Sequence, residues 1–249
     1  TCHDSFGDEF AVVEVESVVF PSGVELDMGD STSNLCATCH RGREAASTID
    51  AKIAAESYSF RNVHYLPGGA IRAGADAHVG YQYPDKDYAG MPSGHIGGDS
   101  CDSCHKPATS NHSFMVGDAW DDCAVCHQTA DSFEDIRGSG HSADYDGDAD
   151  ADENLVDEIA TLAEDLMIEL QAAAVAMGGA YLCYEGHTYP YFFVDTDEDG
   201  MCTPGAEANY GNSYKDWQPE LMRAAHNFQI TQKEPGAWAH NFDYMAQIL

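Results

Sequence analysis

The stretch Cys101-Asp102-Ser103-Cys104-His105, with Cys123-Ala124-Val125-Cys126-His127 following it, decides the reading of this chain. A third copy of the pattern stands upstream as Cys36-Ala37-Thr38-Cys39-His40. C-x-x-C-H is the signature of covalent haem attachment. Two thiols at this spacing add across the two vinyl groups of one haem, and the imidazole directly behind them is set beneath the iron as its proximal ligand. Structural zinc is the competing reading, because the 18 residues between Cys104 and Cys123 fit a zinc ribbon. Zinc needs the thiolates alone and gives no reason for a His after the second Cys of every motif. With 12 His in 249 residues, that coincidence has a chance of about one in ten thousand. Haem c is therefore expected at three sites at least.

Thr1-Cys2-His3 reads as the end of a further C-x-T-C-H and matches Thr38-Cys39-His40. Either the chain starts inside that motif or the haem hangs from one thioether; the alternative is that Cys2 is a plain thiol. The expectation is four haems. Their thioethers come from Cys2, Cys36, Cys39, Cys101, Cys104, Cys123 and Cys126, and their proximal ligands are His3, His40, His105 and His127.

Eight His remain as candidates for the distal positions: His64, His78, His95, His112, His141, His187, His226 and His240. An iron with two imidazoles is low-spin and coordinatively full, which suits electron transfer rather than substrate binding. For any single His the bland alternative is a solvated or hydrogen-bonded residue. Context favours His64, between apolar and aromatic neighbours, and His240, in a well-patterned C-terminal segment. His95 and His112 flank the Cys101 motif so closely that each is expected to reach a neighbouring haem, stacking the cofactors within tunnelling distance. The other four read as more exposed.

The charge balance is extreme, 43 Asp and Glu against 11 Lys and Arg, for a net charge of −32. That argues against nucleic acid as partner and for salty surroundings, bound cations or basic partners. Aromatic residues, 10% of the chain and spread along it, argue against disorder. No run approaches the roughly 20 apolar residues of a membrane span. No signal peptide is present, and Thr1 looks like a mature or trimmed start, so its absence does not argue for the cytoplasm.

Residues 10–28 alternate apolar and polar positions from Phe10 to Leu26 around Pro21-Ser22-Gly23, which predicts a β-hairpin. Residues 29–150 are turn-rich. Leu155, Ile159, Leu162, Leu166 and Leu170 predict a helix from about Asp152 to Gly178-Gly179. Further helices are expected over 219–232 and 237–248. The fold class is a mainly irregular and α multihaem cytochrome c with an N-terminal β-hairpin, a loop-rich haem core and C-terminal helices. Residues 1–249 form one domain, with 1–150 as haem-binding core and 151–249 as helical subdomain.

Two acidic stretches are candidate calcium sites. Asp195, Asp197, Asp199 and Gly200 match the first half of an EF-hand loop, although position twelve is Ala206 and Glu207 comes one residue late. Asp144, Asp146 and Asp148 begin a second run, and the alternative for both is a solvated acidic loop. Cys183 and Cys202 lie outside the haem motifs. They are expected to form a disulfide worth about 3 kcal/mol, the alternative being two buried thiols.

Several segments resemble a family of extracellular multihaem cytochromes that includes the tetrahaem subunits of cytochrome filaments. They are Val19-Phe20-Pro21-Ser22-Gly23, Leu35 through Glu44, Asn62-Val63-His64-Tyr65, Gly80-Tyr81-Gln82-Tyr83-Pro84, Asp144 through Asp148, and Asp216-Trp217 through His240-Asn241. The resemblance implies His64, His95, His112 and His240 as distal ligands. It also implies electron transfer in an extracellular or cell-surface filament, with other copies of the subunit and redox proteins as partners. Two departures stand out: the first motif is incomplete, and His226 stands where the family has an aromatic residue. No catalytic residue is expected. The alternatives are a soluble periplasmic or extracellular carrier, a multihaem reductase with one open haem, and a zinc-stapled binding protein.

Overall fold

The computed structural model describes residues 2–3, 11–64, 66–96, 98–106, 112–138 and 140–249. Thr1, Phe10 and Tyr65, which entered the readings above, lie outside these residues. At Pro21-Ser22-Gly23 the chain turns back, with Phe20 N–H donating to Val24 O (2.8 Å) and Gly23 N–H to Phe20 O (2.8 Å). Strands β1 (Val18–Val19) and β2 (Glu25–Leu26) pair antiparallel, Val18 opposite Leu26. Val18 and Phe20 are buried, whereas Val12, Val13 and Val19 are exposed, so less of the alternating stretch is strand than its pattern allows.

Helix α1 (Ser31–His40) begins at Asp30, whose carboxylate accepts from Ser33 N–H (2.8 Å) and so satisfies one of the unpaired donors of the first turn. Buried Asn34 ties this helix to the preceding loop, accepting from Met28 N–H (2.8 Å) and donating to Val15 O (3.1 Å) and Glu16 O (2.9 Å). Helices α2 (Ala46–Ala54) and α3 (Gly68–Ala73) follow within the stretch read as turns. A Cβ on Gly69 would stand 3.0 Å from Ala37 Cα and 3.1 Å from His40 O, so the absence of a side chain is what lets α3 approach α1.

The short helix α4 (Cys101–His105) spans one attachment motif of the middle region, and α5 (Trp120–Ala124) enters the other, whose Cys126 and His127 follow the helix end. The long helix α6 (Leu155–Ala176) starts three residues after the expected Asp152, with Asp157 and Glu158 in its first turn, where the positive end of the helix dipole favours them. Strands β3 (Leu182–Tyr184) and β4 (Phe192–Val194) form a second hairpin, Cys183 opposite Phe193. Helices α7 (Pro219–Lys233) and α8 (Ala237–Ile248) close the fold, α8 kinking at Asn241.

Helix α8 packs on α3 and α6, and α7 on α6 and α2. One core cluster joins Phe20, Val63, Ile71, Ile230, Tyr244 and Ile248; a second joins Ile49, Leu170, Leu182, Phe192, Trp217 and Met222. Cys183 and Cys202 are bonded to one another and pack with Phe193 and Ala208. His226, read above as exposed, is fully buried: α7 is enclosed by α2, α6 and α8, and His226 Nε2 lies 2.8 Å from Val79 O. Residues 98–138 contrast with all of this. Among the described ones Ala119 is the single buried residue, while Phe114, Met115 and Val125 stay exposed.

Candidate haem sites

Each complete motif occupies a helical turn, which places both cysteines and the following His on adjacent positions of one short element. The seven motif cysteines are exposed or half-buried and none is in a disulfide. Cys101 N–H donates to Ser33 Oγ (3.0 Å), which docks α4 on α1. The helices that carry the first two complete motifs therefore pack together.

The histidines are oriented from behind. His40 Nδ1 lies 2.9 Å from Leu66 O, and His105 Nδ1 lies 2.8 Å from Phe114 O. A backbone carbonyl can only accept, so Nδ1 carries the proton and Nε2 is left with its lone pair outward, the tautomer a metal ligand needs.

Three pairs of rings then face one another across a gap. His95 and His127 are parallel within 1°, with centroids 6.4 Å apart. His105 and His240 are 6.1 Å apart at 30°, and His3 and His112 are 6.1 Å apart at 42°. Two imidazoles sharing one metal, with bonds of about 2 Å and ring centres about 1.1 Å behind the nitrogens, would stand about 6.2 Å apart. The donor set and its spacing thus fit haem iron. The backbone on either side of His64 meets the segment of the remaining proximal candidate: Arg43 N–H donates to Val63 O (3.0 Å), and Leu66 O serves His40.

Each facing His is held by its own element. Asp99 accepts from Gly94 N–H (2.7 Å) and His95 N–H (3.1 Å), hydrogen bonds that keep its carboxyl below the usual range. Arg72 of α3 clamps the same loop, donating to Asp99 O (2.6 Å) and Pro92 O (3.3 Å). His240 sits on the first turn of α8 against two glycines: a Cβ would lie 2.8 Å from its Cε1 at Gly68 and 3.0 Å at Gly236. Burial, with the Arg72 charge adding to it, lowers its pKa to about 4, so the imidazole is neutral at physiological pH, as ligation requires.

The other histidines have different surroundings. His78 and His187 are exposed, and His187 Nδ1 lies 3.0 Å from Glu185 Oε1. His141 Nε2 is 3.2 Å from Asp243 Oδ1, with its ring against Phe242.

Both acidic loops gather carboxylates. Oxygens of Asp195, Asp197 and Asp199 lie within 4.8 Å of one another, as do those of Asp144, Asp146 and Glu158, and of Asp146, Asp148 and Glu153. Ligands about 2.4 Å from one calcium ion would meet that limit. Glu153 and Glu158 were not among the sequence candidates, although both follow the Asp run closely. Glu207 is turned to a different task, accepting from Thr196 Oγ1 (2.7 Å) and Thr203 N–H (2.9 Å).

The three complete C-x-x-C-H motifs are those of a multihaem c-type cytochrome. The chain is similar to two C-type polyheme cytochromes of Geobacter sulfurreducens. Its identity to OmcB is 28% over 240 residues, covering 87% of this chain and 30% of that protein; to OmcC it is 26% over 249 residues, covering 87% and 29%. The chain thus spans about 30% of the length of the curated relatives it matches. No family model matches it, and no solved structure matches it significantly. No helix among the described residues is long and apolar enough to cross a membrane.

Proposed function

We propose that the chain passes electrons through four closely spaced c-type haems, each iron held between two imidazoles: His3 with His112, His40 with His64, His105 with His240, and His127 with His95. The observation that carries this reading is the three facing ring pairs at 6.1–6.4 Å, each joining one motif His to one distal candidate. Bound haem supplies reversible one-electron chemistry at the iron. The chain's part is to fill both axial positions, exclude substrate from the irons and hold neighbouring sites in contact. The packing of α4 on α1 supports adjacency of the second and third sites. Residues 98–138, with a single buried side chain among those described, suit a segment that packs on large apolar cofactors rather than on itself.

The filament role in an extracellular or cell-surface setting rests on the sequence resemblance. Calcium at Asp195-Asp197-Asp199 and at Asp144-Asp146-Asp148 would relieve repulsion in a chain of net charge −32. Intact-mass measurement tests the haem count: four haems are expected, and a mass carrying three would remove the Cys2-His3 site. Electron microscopy of the purified protein tests the filament, which dispersed monomers would refute. Isothermal titration with calcium tests the acidic loops, and absence of heat would leave them solvated.

A further inference from the structure

We propose that Glu234 is a positioning residue for His240: its carboxylate is the acceptor for the imidazole Nδ1–H and lowers the reduction potential of the iron shared by His105 and His240. The inference rests on the reading of His240 as a ligand and goes beyond it. Glu234 closes α7 and His240 opens α8, joined by the Pro235-Gly236 turn, so the sequence break between the helices is what sets the two side chains together. The Glu234 side chain is 7% exposed, and its Oε1 stands 3.6 Å from His240 Nδ1. That nitrogen is buried and has no hydrogen-bond partner. A movement of about 0.5 Å brings the two within hydrogen-bond range.

The carboxylate is prepared for this role. Oε1 accepts from Gly236 N–H (3.1 Å); burial raises the pKa of the carboxyl, and this hydrogen bond opposes the rise. An ionised carboxylate oxygen retains capacity for a further donor. A Cβ on Gly68 would lie 3.3 Å from Glu234 Oε2 and 3.1 Å from His240 Nδ1, and one on Gly236 would lie 3.2 Å from Glu234 Oε1. Two glycines therefore leave room for the pair, one before it on α3 and one between its members.

His40 and His105 give their Nδ1 protons to neutral backbone carbonyls. A carboxylate acceptor makes an imidazole a more basic ligand, and its negative charge in a dry site favours ferric over ferrous iron. The iron shared by His105 and His240 should therefore differ from the iron held by His40.

Potentiometric titration of the haem-loaded full chain, followed by visible absorbance, tests this with Glu234→Gln. One haem is expected to move to higher potential by at least a tenfold change in its reduced-to-oxidised ratio, about 59 mV for one electron, with every iron still low-spin. Glu234→Asp, which keeps the charge but withdraws it, should shift the same haem less, and it decides the matter if the Gln variant fails to fold. Unchanged potentials in these variants, together with a high-spin iron in His240→Ala, would overturn the role of Glu234 while leaving His240 a ligand. A fully low-spin His240→Ala would overturn both.

Discussion

Truncation of Glu158 to Ala should be among the most destabilising single changes outside the haem sites. Its carboxylate is fully buried on the first turn of α6. Oε1 pairs with Arg137 Nη2 at 2.6 Å, and Oε2 accepts from Tyr145 N–H (2.7 Å) and Asp146 N–H (3.1 Å). Arg137, its side chain 15% exposed, loses its counter-charge, and two backbone donors lose their acceptor. Removing one partner of a buried pair costs about 3–5 kcal/mol, a large part of the 5–15 kcal/mol that holds a domain together. The half-exposed pair Arg223–Asp50 (2.8 Å) serves as control, since Asp50→Ala should cost no more than about 1 kcal/mol. Urea unfolding of the haem-loaded protein, followed by far-ultraviolet circular dichroism, measures both. A loss below about 1 kcal/mol for Glu158→Ala would refute the view that this carboxylate locks the acidic loop to α6.

Burial lowers the pKa of His226 below its usual 6.5, outweighing the opposing hydrogen bond to Val79 O. Below pH 6.5 the unfolded chain therefore binds a proton that the folded chain refuses, so stability should fall as pH drops and His226→Gln should flatten that slope in urea titrations at several pH values. Replacing Cys183 and Cys202, 19 residues apart, by Ser should cost about 3 kcal/mol by the chain-entropy model, read as a lower urea midpoint; an unchanged midpoint would contradict it. Gly68→Ala should introduce a high-spin fraction, because its Cβ meets His240 Cε1 at 2.8 Å, and an unaltered spectrum would show that α3 can yield.

The parts of this molecule that declare themselves locally were open to reading. A C-x-x-C-H motif carries its thiols and proximal imidazole within five residues, and the apolar stripe from Leu155 to Leu170 marks α6 without tertiary knowledge. Helices α2 and α3 were hidden because Ala- and Gly-rich segments such as Gly68–Ala73 are too short to display a helical stripe; α3 is held by its approach to α1 and α8. The second hairpin was masked by the aromatic run Tyr189-Pro190-Tyr191-Phe192-Phe193, which shows no alternation because Phe192 and Phe193 are both buried. The exposure of His226 was misjudged for a similar reason. A polar residue on a helix reads as solvated until the helix proves to be enclosed by three others. Contacts such as that between His105 and His240 lie beyond any local signal, because α8 must first be laid on α3. Glu234 carried no mark at all, since its meaning depends on the turn that follows it.

The central claim is that every iron in this chain lies between two imidazoles. Low-temperature electron paramagnetic resonance of the fully oxidised protein at neutral pH tests it most directly. The account predicts low-spin ferric signals alone, integrating to the number of haems found by mass. A substantial high-spin signal would mean that an iron keeps an open or water-filled position, contradicting the account and favouring a reductase.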